Sequence, residues 1–121
     1  MAEKESSRTW GERVASRYLE SMGYEVLKQH LTCKNGRADV IARKDDEIAL
    51  IRVVVRRDPG AGFAEIAPTA ELRRSLETAA VRFLKDYDAA DFIIRFDTIS
   101  IIKLDEVRSL IKHHVNALGP A

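Results

Sequence analysis

The stretch GRADVIARKDDEIALIRVVVR, from Gly36 to Arg56, decides the fold of this chain. Polar and apolar residues alternate over residues 37–43, and a short charged turn follows them. Residues 48–55 are almost continuously apolar, which is typical of a central strand covered on both faces. Arg52 interrupts this apolar run, and Asp39 lies in the strand before it. The stretch therefore predicts two neighbouring strands that carry charges in an apolar setting.

A helix is predicted on the N-terminal side of these strands. Apolar residues recur at helical spacing over residues 10–22, and Gly23 follows as a natural end. Thr9 and Glu12 have the spacing of a capping box, in which each side chain satisfies a backbone N–H of the first turn. Glu12 is therefore interpreted as a capping residue rather than as a metal ligand.

Further elements follow from the same kind of pattern. The remaining predictions are strands at 24–33 and 92–102, a second helix at 68–86 and a third helix at 104–118. The order is thus α-β-β-β-α-β-α, an α/β arrangement with a central sheet flanked by helices.

Composition sets loose limits. The chain has 121 residues, of which 45% are hydrophobic and 32% charged, so residues 1–121 are expected to form one domain, with residues 1–8 as a flexible N-terminal tail. The formal net charge is only +1, so an affinity for nucleic acid would have to come from local clusters of Arg and Lys.

The lone Cys33 excludes an internal disulfide and a cysteine-built zinc site. The sequence contains neither a run of roughly 20 apolar residues nor the apolar core of a signal peptide. We therefore expect a cytoplasmic protein that does not enter a membrane.

Several short motifs, taken in order and spacing, resemble the YraN-like family of small bacterial proteins. They are Gly11-Glu12, Gly36-x-x-Asp39-x-Ile41-Ala42, the apolar strand ending at Arg56, Arg95-Phe96-Asp97 and Asn116-Ala117. This resemblance implies a restriction-endonuclease-like, PD-(D/E)xK fold and a distant relationship to archaeal Holliday-junction resolvases. The fold expected is then a mixed central sheet flanked by helices.

The resemblance also implies where a nuclease site would lie. The family pattern keeps its acids at Glu12 and Asp39, whereas Arg37 and Arg52 stand where it has glutamate, and Val54 stands where it has lysine. A hydrolytic Mg²⁺ site needs several hard oxygen ligands, and an arginine among them repels the ion. We therefore expect a degenerate site with no intact catalytic set, no metal and no other cofactor.

Strand alternation leads to a specific hypothesis about this site. Arg37 and Asp39 share one face of their strand, and Arg52 shares a face of the next strand with Val54 and Arg56. If those faces coincide, Asp39 pairs with Arg52 or Arg37, and an ion pair occupies the place of the metal.

Basic residues near these strands allow two interpretations. They are either a phosphate-binding patch or an ordinary solvated rim, and composition does not decide between the two. The candidate nucleic-acid-binding residues are Arg37, Arg43, Lys44, Arg52, Arg56 and Arg57. Asp97 is interpreted as the partner of a strand-face ion pair rather than as a catalytic group.

Three functions remain open at this point. The first is a nuclease-fold protein that has lost its phosphodiesterase chemistry and binds duplex or branched DNA through phosphate contacts. The second is a protein-interaction or structural module that could form a homodimer. An exposed apolar patch would indicate such a module. The third is an active endonuclease that recruits Mg²⁺ through substitute ligands such as Glu47, Glu65 or a partner chain.

Overall fold

A computed structural model describes residues 5–88 and 91–119 of the chain. The elements are α1 (Ser7–Ser21), β1 (Glu25–Cys33), β2 (Gly36–Lys44), β3 (Glu47–Arg56), a short 3-10 helix (Pro59–Ala61), α2 (Ala70–Leu84), β4 (Ile93–Lys103) and β5 (Ser109–His114). Neither of the two α-helices in the described ranges is long and apolar enough to cross a membrane.

The five strands form one mixed sheet in the order β1-β2-β3-β4-β5. The first three strands are antiparallel neighbours joined by tight turns, and β4 and β5 form a second antiparallel pair. β3 and β4 are parallel, so the chain must return from the end of β3 to the edge of the sheet at which β3 begins. The connection that makes this return contains α2. The predicted class, an α/β protein with a mixed central sheet, is confirmed.

The two helices cover opposite faces of the sheet. On the first face, α1 buries Trp10 and Leu19 against Val40, Ile51 and Ile99. On the second face, the buried side chains come from α2 and the middle of the sheet: Leu72, Leu76, Ala79, Ile41, Ile48 and Leu50. Both faces of β3 are thus covered, which explains its continuous apolar run.

The start of α1 differs from the sequence prediction. Ser6 is the N-cap, and its hydroxyl oxygen accepts a hydrogen bond from the Thr9 backbone N–H at 3.1 Å. Ser7 and Arg8 therefore belong to the helix and not to the predicted flexible tail. Residues 1–4 of that tail lie outside the described residues. The predicted capping box of Thr9 and Glu12 is wrong, and Glu12 is available for another role.

The predicted third helix is also wrong. Residues 109–114 form β5, which pairs with β4 from Ser109–Lys103 to His114–Thr98. Side chains alternate along β5, with Ile111 packed towards α1 and Leu110 exposed. Pairing with the long strand β4 has outweighed a local pattern that was compatible with a helix.

Asp97 on β4 fixes this C-terminal segment. One of its carboxylate oxygens accepts a hydrogen bond from the Asn116 backbone N–H at 2.7 Å, and the other lies 2.8 Å from His113 Nε2. Arg95 donates to both oxygens, from Nε at 3.0 Å and from a terminal nitrogen at 2.9 Å, and it also contacts the Tyr24 hydroxyl. Arg95 and Asp97 thus form the expected strand-face ion pair, and it is buried.

Asp97 makes the stability of the fold depend on pH. Burial acts to raise its pKa, but hydrogen bonds from His113, Arg95 and the Asn116 N–H outweigh burial, so the pKa of Asp97 is lowered. A carboxyl group with a lowered folded pKa contributes stability above its unfolded value of about 3.9 and loses that contribution as pH falls through the folded pKa.

We therefore expect Asp97→Asn to lower the free energy of unfolding at pH 7 by about 3 kcal/mol and to flatten the decline of this free energy below about pH 4. Urea unfolding followed by circular dichroism at a series of pH values measures both effects. Asp45→Asn, in the exposed turn between β2 and β3, is the matched control. An unchanged acid slope in Asp97→Asn would contradict this account.

Candidate functional site

The candidate site lies where β2 and β3 separate. Their paired register runs from Lys44–Glu47 to Val40–Ile51, and Asp39 is the next residue of β2. Asp39 is fully buried, and its Oδ2 accepts a hydrogen bond from the Val53 backbone N–H at 2.7 Å. Val53 lies beyond the paired residues of β3, so its backbone N–H has no carbonyl partner on β2. The Asp39 carboxylate accepts this N–H in place of a strand carbonyl.

Three arginines surround the same carboxylate. Arg37 Nε donates to Asp39 Oδ1 at 2.8 Å, and Arg8 approaches that oxygen at 3.3 Å from α1. Arg52 Nε lies 3.8 Å from Asp39 Oδ2. The pairing that strand alternation suggested is therefore present with both Arg37 and Arg52, and Arg8 adds a third cation.

Arg52 also links the sheet to α2. One of its terminal nitrogens donates to the Arg37 backbone carbonyl at 3.1 Å and to the Ser75 hydroxyl at 3.0 Å. Burial lowers the pKa of the Arg52 guanidinium, while the charge of Asp39 acts in the opposite direction. A guanidinium remains protonated at neutral pH even so, because its ordinary pKa lies far above neutrality. Arg52 is a permanent cation at the centre of the site.

Glu12 completes the site from the α1 side. It is 2% exposed, and its Oε1 lies 2.9 Å from His30 Nδ1 on β1 and 3.6 Å from Arg8 Nε. Its Oε2 is buried with no hydrogen-bond partner in the described part of the chain. Glu12 can reach this position because its neighbour Gly11 packs directly on β3, where a Cβ atom would come within 2.6 Å of Val55.

The donor set does not fit a magnesium ion. Each oxygen of Asp39 is already bound by a guanidinium or a backbone N–H, and Glu12 Oε1 is held by His30 and Arg8. Glu12 Oε2 is the one carboxylate oxygen of the two that has no partner in the described residues, and one oxygen does not make a magnesium site. Within residues 5–88 and 91–119, no group of three or more His, Cys, Asp or Glu side chains could hold a metal ion. Arginines stand where an ion of charge +2 would need further oxygen ligands.

An open cleft adjoins the cluster on the α2 side. Its volume is about 380 Å³, and it lies between the ends of β2 and β3 and the N-terminus of α2. Arg37, Arg52, Ser75 and Thr69 are among its lining residues, together with Val54 and the carboxylate of Glu71. Thr69 is the N-cap of α2, so the positive end of the helix dipole faces this cleft.

The other predicted nucleic-acid-binding residues are dispersed. Arg43 lies over the Phe92 ring, and Lys44 donates to the Met22 carbonyl, both at the far end of β2 from Asp39. Arg56 and Arg57 are exposed beyond Arg52 at the end of β3. Only Arg37 and Arg52 of the six predicted residues share the cleft.

Sequence reasoning missed two members of the cluster. Arg8 stands four residues before Glu12, a spacing that places two side chains on the same face of a helix. The predicted helix began at Trp10, so Arg8 lay outside it and this relation was not recognised. His30 has φ of 60° within β1, and its ring lies on the α1 side of the strand, where Nδ1 reaches Glu12. Glu12 is 18 residues away along the chain, so no local pattern indicated this pair.

The proposed substitute ligands lie elsewhere. Glu47 is the first residue of β3, and its carboxylate lies 3.3 Å from Arg95. Glu47 precedes Arg52 by five residues, which is about 17 Å along the strand. Glu65 is exposed in the connection between β3 and α2. Neither side chain belongs to the carboxylate and arginine cluster.

The mixed sheet, with one helix on each face and acids at the point where β2 and β3 separate, defines a small α/β protein consistent with a nuclease-like fold. The model for the uncharacterised protein family UPF0102 matches residues 11–101. The chain therefore belongs to this family, which is the YraN-like family that the motifs resemble.

Individual relatives agree with this assignment. A UPF0102 protein of Syntrophomonas wolfei is 34% identical over 89% of this chain and 93% of its own length. A UPF0102 protein of Pelobacter propionicus is 37% identical over 88% of this chain and 78% of its own. A third, from Geobacter sulfurreducens, is 32% identical over 88% and 84%.

The burial of Asp39 makes its charge essential to the fold. Replacing it by asparagine leaves Arg37 and Arg52 without a carboxylate and Arg8 with Glu12 alone, so we expect Asp39→Asn to lower the free energy of unfolding by about 3 kcal/mol or more. Urea unfolding at neutral pH is the measurement. Asp58→Asn, at an exposed carboxylate that also accepts one backbone N–H, should change stability by no more than about 0.5 kcal/mol. Equal effects in the two variants would contradict the central role of Asp39.

Proposed function

We propose that this protein binds nucleic acid through phosphate contacts at the cleft between β2, β3 and α2, and that it does not hydrolyse the bound strand. The observation that carries the proposal is that three arginines surround the buried carboxylate beside an open cleft. Asp39 and Glu12 offset part of their charge, but the three guanidiniums outnumber these two carboxylates.

The chemistry of the cleft supports an anionic ligand. Arg37 is about one third exposed and so remains accessible beside its partner Asp39. Guanidinium groups bind phosphate oxygens with two donors, and the N-terminus of α2 and the Ser75 hydroxyl supply further donors near by. Glu71 opposes such a ligand, which favours a diester, with one negative charge for each phosphate, over a free phosphate monoester.

The loss of hydrolysis follows from the same groups. Cleavage of a phosphodiester by this class of fold requires an ion that activates water and neutralises the developing charge. Guanidiniums can stabilise charge on the phosphate, but they do not activate a water molecule. Binding and cleavage are therefore separable at this site.

Fluorescence anisotropy with a labelled four-way DNA junction and a matched duplex tests the proposal, at two salt concentrations and with Mg²⁺ present. We expect saturable binding that weakens with salt, and intact DNA on a gel afterwards. Arg37→Ala should weaken binding about tenfold and reduce the salt slope by about 0.9, the value of one phosphate contact.

Arg43→Ala is the control, because this arginine lies at the far end of β2. Absence of binding, or an equal loss in the control, would overturn the proposal. Cleavage that Asp39→Ala abolishes would instead establish the active-nuclease alternative.

Rebuilding the family pattern provides an independent test. The triple variant Arg37→Glu, Arg52→Glu and Val54→Lys restores carboxylates and a lysine beside Asp39. Removal of two cations and addition of two acids should create a measurable affinity for Mn²⁺, which isothermal titration calorimetry detects. We expect no such affinity in the parent chain. Circular dichroism checks that the variant folds. A folded variant without metal affinity would show that these positions do not correspond to the family's metal ligands.

A further inference from the structure

A second surface, separate from the arginine cleft, lies along the C-terminal half of α2. We define the α2 groove as the depression between this part of the helix and the turn that joins β1 to β2. Its volume is about 720 Å³, and its floor and rim are formed by Cys33, Val81, Leu84, Lys34, Arg82 and Lys85. We propose that the α2 groove binds an acidic amphipathic helix of a partner protein.

The floor of the α2 groove is apolar. Val81 is 73% exposed in the last turn of α2, which is unusual for an aliphatic side chain on a helix that also buries Leu76 and Ala80. Leu84 and Cys33 are half-buried beside it. A contiguous apolar surface of this kind loses contact with water when another apolar side chain covers it, so it favours a protein ligand.

The rim of the α2 groove is basic. Its charged lining residues, Lys34, Arg82 and Lys85, are all cations. Asp86 pairs with Arg82 at 3.2 Å, whereas neither Lys34 nor Lys85 forms an ion pair with an acidic side chain in the described ranges. A partner that matches both the floor and the rim has aliphatic side chains along one stripe and carboxylates on either side of it.

The two walls of the α2 groove are fixed to each other before any ligand binds. Gly36, at the end of the β1–β2 turn, lies so close to α2 that an added Cβ atom would be 2.9 Å from the backbone nitrogen of Ala79 and from Thr78 Cγ2. The turn and the helix are therefore in direct contact, and the turn cannot move closer to α2 without a clash. A preformed groove avoids the entropy cost of ordering its walls on binding.

The geometry favours a helix as the occupant. Thr78, Val81 and Lys85 lie at positions i, i+3 and i+7 of α2 and form a ridge along its exposed side. A second helix packs against such a ridge by placing its own side chains in the neighbouring grooves. Nucleic acid offers no aliphatic surface to Val81, and the arginine cleft lies at the other end of α2, near Ser75.

A labelled helical peptide of about 14 residues, with leucine at helical spacing and glutamate at most other positions, is the probe. A matched peptide has lysine in place of every glutamate. We expect saturable anisotropy with the acidic peptide that weakens with salt, and at least about tenfold weaker binding of the lysine peptide. Val81→Glu and Lys85→Glu should each weaken binding of the acidic peptide by about tenfold or more.

Val107→Glu is the control, because Val107 is 92% exposed in the connection between β4 and β5, far from α2. Equal binding of both peptides, no saturation with the acidic one, or retained binding in Val81→Glu would overturn the proposal. Loss of DNA binding in Val81→Glu would assign the groove to nucleic acid, and self-association that Val81→Glu abolishes would assign it to a second copy of this chain. Either result would overturn a partner helix. Because Val81 is exposed, circular dichroism should confirm that the variant keeps its fold.

Discussion

One buried carboxylate holds together the part of the molecule in which β2 and β3 separate. Asp39 accepts the Val53 N–H that has no strand partner, and it balances guanidiniums that arrive from α1, β2 and β3. A buried carboxylate is stable only when cations balance its charge and donors reach its oxygens, because burying an unpaired charge costs on the order of several kcal/mol. The positions of Arg8, Arg37 and Arg52 therefore depend on Asp39, and the shape of the neighbouring cleft depends on those arginines.

The same cluster explains how a nuclease-like fold can persist without a metal ion. In a metal site, carboxylates from different elements are drawn together by a shared cation. Here a guanidinium supplies that cation covalently, as a side chain of the chain itself, and Arg52 extends the connection to Ser75 on α2. Under the proposed function, arginine at the positions where the family pattern has glutamate keeps the site together and attracts an anion instead of a cation.

Most of the fold followed from local patterns, and the exceptions have physical causes. The strands around Gly36–Arg56 and the helix after Thr69 were predicted because alternation and capping act over a few residues. β5 was predicted as a helix because its strand identity comes from pairing with β4 and from Asp97, which are contacts between distant residues. In the site, alternation brought Asp39, Arg37 and Arg52 together, whereas the pair of His30 with Glu12 joins β1 to α1 and is a contact that local patterns do not specify.

The parallel pairing of β3 with β4 has a consequence for how the chain assembles. The antiparallel strands β1, β2 and β3 are joined by short turns and can associate early, whereas β4 joins β3 only after the chain has passed through α2. Contacts that close long loops form late and slow folding. Asp39, Arg37 and Arg52 all lie in the early, local unit, so their ion pairs are available to hold the ends of β2 and β3 in position while the rest of the sheet is still being added.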